Sequence, residues 1–325
     1  MTQATGLIAA YIFDGNGGGR SIGWEDIKNW SSDDGILWLH MDYTASKVRD
    51  WVLEESGVSN IVSEVLLEEE TRPRSVSLKN GLLVTLRGVN MNPSADPEDM
   101  VSIRMWIEKD RIISTRHRRL LSIDDIRRKI DSDQGPRTAG EFLVDISECM
   151  VERMSDVIES IDDLVDSLEE EVLTAESHKL RPKIASVRRQ TISLRRYLAP
   201  QREAMGRLYS EKAEFLSDME RLKLREGADR ITRYIEDLDS ARERAAVTQE
   251  ELASRLSEKM DARMYLLSIV AAVFLPLGLL TGLLGINVGG IPGADYKGSF
   301  LIVCLILLLS GGILYWVFKR RGWMS

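Results

Sequence analysis

Hydrophobic and polar positions follow one period in the first part of this chain, another in the middle, and neither near the C-terminus. Over residues 1–140, apolar or alternating runs at 7–13, 36–43, 82–89, 101–108 and 112–115 predict strands. Turn residues such as Lys79-Asn80-Gly81 and Lys109-Asp110 separate them. Helical spacing appears at 45–55 and 61–68. The expectation is an α+β domain built around a mainly antiparallel or mixed sheet.

From residue 141 to 263 the spacing is helical throughout. Leu143, Ile146, Met150, Met154, Val157, Ile161, Leu164, Val165 and Leu168 recur at steps of three and four, and the helix breakers are Pro182, Pro200, Gly206 and Gly227. This predicts long antiparallel helices forming a coiled stalk, with boundaries near 176–182 and 226–228, where proline opens a helix and glycine closes one. The last helix would then run unbroken from 228 to 284, about 57 residues and roughly 85 Å.

Periodicity disappears where charge does. Residues 265–284 contain no charged side chain, and at 1.5 Å per residue they cover roughly 30 Å, the thickness of a bilayer core. A second such run occupies 300–318. Two spans place both termini on one side. Arg255, Lys259 and Arg263 precede the first span and Lys319, Arg320 and Arg321 follow the second, whereas the connecting loop carries only Lys297. The bias of basic residues assigns the termini to the cytoplasm. Tyr265, Tyr296, Tyr315, Trp316 and Trp323 occupy interfacial positions. The apolar run at 6–13 is too short, and lacks the preceding basic residues, to be a signal peptide. The expected organisation is a cytoplasmic α/β domain (1–140), a stalk (141–263), a first span (264–284), an external loop (285–299), a second span (300–318) and a basic tail (319–325).

Composition narrows the function. The 325 residues include 43 basic and 51 acidic side chains, a formal charge of −8, which argues against nucleic acid and suits attraction of cations. Cys149 and Cys304 are the only cysteines and imply no disulfide framework. Gly15, Gly17, Gly18 and Gly19 lack the Gly-Lys-Ser/Thr that a phosphate loop needs, so a glycine-rich turn is the reading. His40, His117 and His178 are far apart and without short-spaced Cys or His partners, which favours ordinary core or surface roles over zinc ligation. Residues 141–171 hold twelve acidic side chains against one basic, Arg153. A solvated helix face explains such a run, and divalent occupancy is the sharper alternative. No catalytic constellation is evident, and no enzyme is expected.

Within the first span, alternating steps of three and four collect Asp261, Met264, Ser268, Ala271, Leu275, Gly278, Gly282 and Gly285 on one stripe that becomes small toward its outer end. Small residues suit close helix packing, and equally suit the lining of a pore. The ending favours the pore: Gly285-Ile286-Asn287 sets a carboxamide where the helix stops. The segment Pro276-Leu-Gly-Leu-Leu-Thr-Gly-Leu-Leu-Gly-Ile-Asn287 resembles the pore helix and Gly-x-Asn signature of the CorA family of divalent-cation transporters. The middle Ile286, the following Val288-Gly-Gly-Ile-Pro-Gly293 and the upstream Leu194-Arg-Arg-Tyr-Leu-Ala-Pro-Gln-Arg202 resemble its ZntB, zinc-transporting branch.

That resemblance implies a homopentameric funnel in a bacterial inner membrane, with five first spans around an axis and the second spans against lipid. Gly285, Ile286 and Asn287 would form the external filter, Gly282, Gly278, Leu275 and Ala271 the inner lining, and Leu267, Met264 and Asp261 the cytoplasmic mouth. Metal contact would fall to Asn287, through the hydration shell of the ion, and to Asp261. Magnesium-transporting members carry a hydroxyl or thioether where Gly278 and Leu275 stand, and an acidic loop where this chain has only Asp295. Without nitrogen, sulfur or carboxylate ligands along the span, the passing ion should stay hydrated. Zinc is the expected cargo, imported and proton-linked, with no covalently bound cofactor. Magnesium, cobalt, nickel and cadmium are alternatives on the same fold, and a membrane-anchored coiled-coil scaffold is the alternative outside transport.

Overall fold

A computed structural model describes residues 5–174, 179–210, 213–286, 293 and 296–320. Packing separates the chain into two units, Met1–Gln249 and Glu250–Ser325. In the first unit, seven strands form one sheet: β1 Leu7–Phe13, β2 Gly19–Ser21, β3 Ile36–Asp42, β4 Arg74–Leu78, β5 Gly81–Gly88, β6 Val101–Ile107 and β7 Arg111–Arg116. Their order is β2-β1-β3-β7-β6-β5-β4. Every neighbouring pair is antiparallel except β3 and β7, so the sheet is mixed, as the alternating pattern implies.

The five strands visible as apolar runs occupy the middle of the sheet. The two that the pattern misses, β2 and β4, are its edges. In β4, Arg-Ser-Val-Ser-Leu, only Ser75 is buried, and its hydroxyl donates to the Ala204 carbonyl at 2.8 Å. Edge strands carry polar residues because they meet water and must resist further pairing. The glycine tract is the β1–β2 turn: Asp14 Oδ1 accepts the backbone N–H of Asn16 at 2.7 Å and of Gly18 at 3.0 Å.

Alternation along β3 sends its residues to two cores. Leu37, Leu39 and Met41 join Ile27, Val48, Val62 and Leu66 beneath three short helices, α1 Trp24–Asn29, α2 Ser46–Asp50 and α3 Asn60–Leu67. The helix expected over 45–55 is divided, since α2 passes into a π-helical turn at Trp51–Glu55 whose buried Trp51 meets Trp24 edge-on at 6.0 Å. On the opposite face, Trp38 packs against Phe142 at 5.0 Å between ring centres. Phe142 belongs to α5 Ala139–Thr174, preceded by α4 Leu121–Asp131, a helix so rich in charge that its apolar stripe of Ile123, Ile126 and Ile130 escaped the sequence reading.

Three long helices follow: α5, α6 Leu180–Ser210 and α7 Asp218–Leu284. Lys183–Glu171 and Arg195–Asp239 contacts show that α6 runs antiparallel to both neighbours. The boundary expected at 226–228 is not there. α6 ends at Ser210, and α7 starts at Asp218 because Ser217-Asp-Met-Glu220 is a capping box. Glu220 Oε2 accepts the Ser217 N–H at 2.5 Å, and Ser217 Oγ accepts the Glu220 N–H at 3.3 Å. Gly227 serves packing instead: a Cβ there would lie 2.5 Å from Met205 Cε of α6. The last long helix therefore has 67 residues rather than about 57.

Candidate ion-conduction site

Among the described residues, two helices have the length and apolarity to cross a membrane. The richest windows of α7 and of α8 Ser299–Arg320 have mean hydropathies of 2.3 and 2.6, and none of either window is buried within the chain. Leu275 is 72% exposed and Phe300 81%. Apolar surface on that scale requires lipid or other copies of the chain around it.

At 100° per residue, Asp261, Met264, Leu267, Ser268, Ala271, Leu275, Gly278, Gly282 and Gly285 fall within an arc of about 120° on α7. The structure thus brings the sequence-predicted lining onto one face. Met264 and Leu267 are exposed, Ala271 is half-exposed, and a Cβ added at Gly278 or Gly282 would meet no atom of the chain within 4 Å. The stripe loses its side chains toward the C-terminal end of α7.

The backbone along this stretch is almost self-sufficient. Ser268 Oγ donates to the Met264 carbonyl at 2.8 Å and Thr281 Oγ1 to that of Gly278 at 3.0 Å, so both hydroxyls are spent inside the helix. Pro276 lies inside α7 and has no N–H to offer the Ala272 carbonyl one turn earlier. The helix closes with the Gly285 N–H bonded to Thr281 O at 2.9 Å and Gly282 O at 3.2 Å, after which the chain leaves helical geometry at Ile286, itself exposed. Asn287 lies outside the described residues.

No ionisable side chain stands between Met264 and Leu284 apart from the phenol of Tyr265. Asp261, one turn before Met264, is exposed. Among the described residues, no cluster of three His, Cys, Asp or Glu is arranged to hold a metal ion. His40 is fully buried, with Nδ1 2.9 Å from Ser114 Oγ, and burial holds its pKa well below the usual value. It is a neutral core residue. His117 packs on Tyr43 with ring centres 6.0 Å apart, and His178 lies outside the described residues. Cys149 is buried, and burial pushes its thiol up to about 11.

The acidic run on α5 has a partner that sequence reading missed. Arg244 of α7 reaches Asp162 through Nη1 at 2.8 Å and Glu169 through Nε and Nη2 at 3.0 and 2.7 Å, and also pairs with Asp166. Hydrogen bonds donated to Glu169 and Asp166 hold its pKa above the ordinary arginine range. The three carboxylates stand at i, i+4 and i+7, one face of α5. Elsewhere along the run, Lys129 pairs with Asp145 at 3.6 Å and Lys183 with Glu171 at 3.1 Å, while the run's own Arg153 turns to Asp125 of α4 at 2.6 Å. The run is therefore partly neutralised by guanidinium and ammonium groups within the chain. Arg244 is one of several arginines on α7, and periodicity along one helix does not reveal which of them faces α5.

Comparison with known proteins agrees with this geometry. The family model described as "CorA-like Mg2+ transporter protein" matches residues 33–320. The chain is 40% identical over 322 residues to the divalent cation transporter CmaX of Pseudomonas aeruginosa, covering 98% of this chain and 97% of that protein. It is 38% identical over 323 residues to the zinc transport protein ZntB of Pectobacterium carotovorum, covering 99% and 97%. The solved structure of full-length CmaX superposes with a TM-score of 0.84 at 38% identity, covering 97% of this chain and 98% of that one. With a mixed-sheet domain, long stalk helices and two membrane-length helices in their expected order, this chain belongs to the CorA family of divalent-cation transporters.

Proposed function

We propose that this protein carries zinc inward across the bacterial inner membrane as a homopentamer, both termini cytoplasmic, through a path lined by the open stripe of α7. The observation that carries the reading is that stripe: one arc of α7 from Asp261 to Gly285, small at its outer end and free of ionisable groups between Met264 and Gly285. The relatives named for zinc and for divalent-cation transport support the cargo.

Physical chemistry limits how the path works. A bare zinc ion wants nitrogen or sulfur ligands, and magnesium gives up water reluctantly. A path offering amide oxygen and backbone carbonyl suits a hydrated ion, whose waters donate to a ring of Asn287 carboxamides framed by Gly285 and Ile286. Such a ring sorts by charge density and size, so cobalt, nickel, cadmium and magnesium compete with zinc. The family model's description as a magnesium transporter gives that broader reading its own support. Leu275, Leu267 and Met264 supply hydrophobic constrictions that dewet when the helices close. Asp261 meets the ion at the cytoplasmic end. The membrane potential, about 2.3 kcal/mol per charge per 100 mV, drives entry, and any proton linkage falls outside the span.

Asn287→Ala in proteoliposomes tests the reading. Loss of radioactive zinc uptake with intact assembly is expected, whereas uptake at the wild-type rate would rule out the carboxamide ring. Competition by magnesium, cobalt and nickel ranks the cargo. Absence of any uptake by the wild-type protein would favour a scaffold.

A further inference from the structure

The second span holds a feature that the ion path does not use. Leu305, Leu308, Leu309, Gly312, Ile313 and Trp316 form a shallow, open and almost wholly apolar groove along one face of α8. The notch exists because Gly312 has no side chain, and a Cβ placed there would meet nothing within 4 Å. At 1.5 Å per residue, the groove extends about 16 Å along the helix, the depth of one leaflet of a roughly 30 Å core.

The groove ends in positive charge. At 100° per residue, Lys319 and Arg320 project within about 60° of the line through Gly312 and Trp316. The Arg320 guanidinium stands 5.1 Å over the Trp316 ring, which is also a wall of the groove, and Lys319 Nζ stands 6.0 Å from the Tyr315 ring. Among the described residues, neither cation has a carboxylate partner. Aromatic faces hold both groups at the level where headgroups lie.

We infer that this groove binds one anionic phospholipid, with an acyl chain seated against Gly312 and the headgroup phosphate between Lys319 and Arg320. The inference rests on α8 being a membrane span and is independent of which ion α7 passes. An apolar face of leaflet depth matches a single acyl chain, and two cations at its mouth, without a carboxylate partner among the described residues, match a net-anionic headgroup rather than a zwitterionic one.

The test uses full-length protein in detergent, titrated with phosphatidylglycerol or with phosphatidylcholine of the same acyl chains, with bound lipids counted by native mass spectrometry. Wild type should retain phosphatidylglycerol about tenfold better than phosphatidylcholine. Lys319→Gln with Arg320→Gln should erase that preference. Gly312→Leu, whose added Cβ meets no atom within 4 Å, should fill the notch and reduce retention of both lipids. Preference surviving in the double variant would overturn the site. So would wild-type retention by Gly312→Leu, and a changed oligomer size in that variant with lipid retention intact would assign the groove to another copy of the chain. Zinc uptake is read separately: protein that shows the lipid preference but passes no cation supports the lipid site while contradicting the transport reading.

Discussion

Replacing Arg244 with alanine removes the group on which Asp162, Asp166 and Glu169 converge. The magnitude follows from exposure. Arg244 is 32% exposed, and the three carboxylates are 57%, 60% and 39% exposed, so each pair is screened by water. Exposed pairs contribute about 0.2–1 kcal/mol each, and the fork of a guanidinium on Glu169 lies at the upper end. Three pairs together give about 2 kcal/mol, because removing the cation also leaves three like charges on one face of α5. For a unit of this size, 1 kcal/mol moves Tm by about 2–4 °C, so Arg244→Ala should lower the Tm of the N-terminal unit by about 4–8 °C. The assay is thermal unfolding of full-length protein in detergent at low salt and again in 1 M sodium chloride, where the Debye length falls to about 3 Å and the gap between variant and wild type should narrow. Arg244→Lys should fall between the two, since an ammonium cannot span the fork. A variant melting within about 1 °C of wild type, or a gap that salt leaves untouched, would refute the electrostatic account.

Three further outcomes follow from particular residues. His40 is held neutral by burial while the unfolded chain takes up a proton below about 6.5, so acid favours unfolding; between pH 6.5 and 5.5 wild type should lose about 1 kcal/mol relative to His40→Gln, and parallel pH profiles would contradict this. Cys149, with its thiol pushed up to about 11, should resist a thiol reagent at neutral pH in a Cys304→Ser background until denaturant is added, and rapid labelling of native protein would show the α5 core to be open. Gly35 has φ +114° and a Cβ there would lie 2.3 Å from the Phe13 carbonyl, so Gly35→Ala should cost about 3 kcal/mol or more in chemical denaturation, whereas a neutral result would show that β1 and β3 yield at this turn.

How much was legible in the sequence depended on whether a residue's role was local. The middle strands declared themselves because Leu37, Leu39 and Met41 are buried on one face while Trp38 and His40 are buried on the other, making an apolar run. β4 and α4 were hidden by Arg74 and by the charges around Ile126, since an edge strand and a surface helix show water most of their length. Gly227 misled because glycine ends helices as readily as it admits a neighbour, and only Met205 distinguishes the two. Ser217 and Glu220 carried a capping box in plain sight. At the candidate site, the face of α7 was legible from spacing alone, because a helix fixes which residues align. The Arg244 clamp was not, because its partners lie 75 to 82 residues away.

The central claim is that one face of α7 lines a shared aqueous path, and cysteine substitution along the helix tests it most directly. In protein with Cys149 and Cys304 replaced, Gly282→Cys stands on the stripe and Leu280→Cys on the opposite side of the helix. Exposure of proteoliposomes to a charged, water-soluble thiol reagent should block zinc uptake through Gly282→Cys and leave Leu280→Cys unaffected. Block at Leu280→Cys with Gly282→Cys indifferent would turn the glycine stripe toward lipid or a packed neighbour and contradict the account.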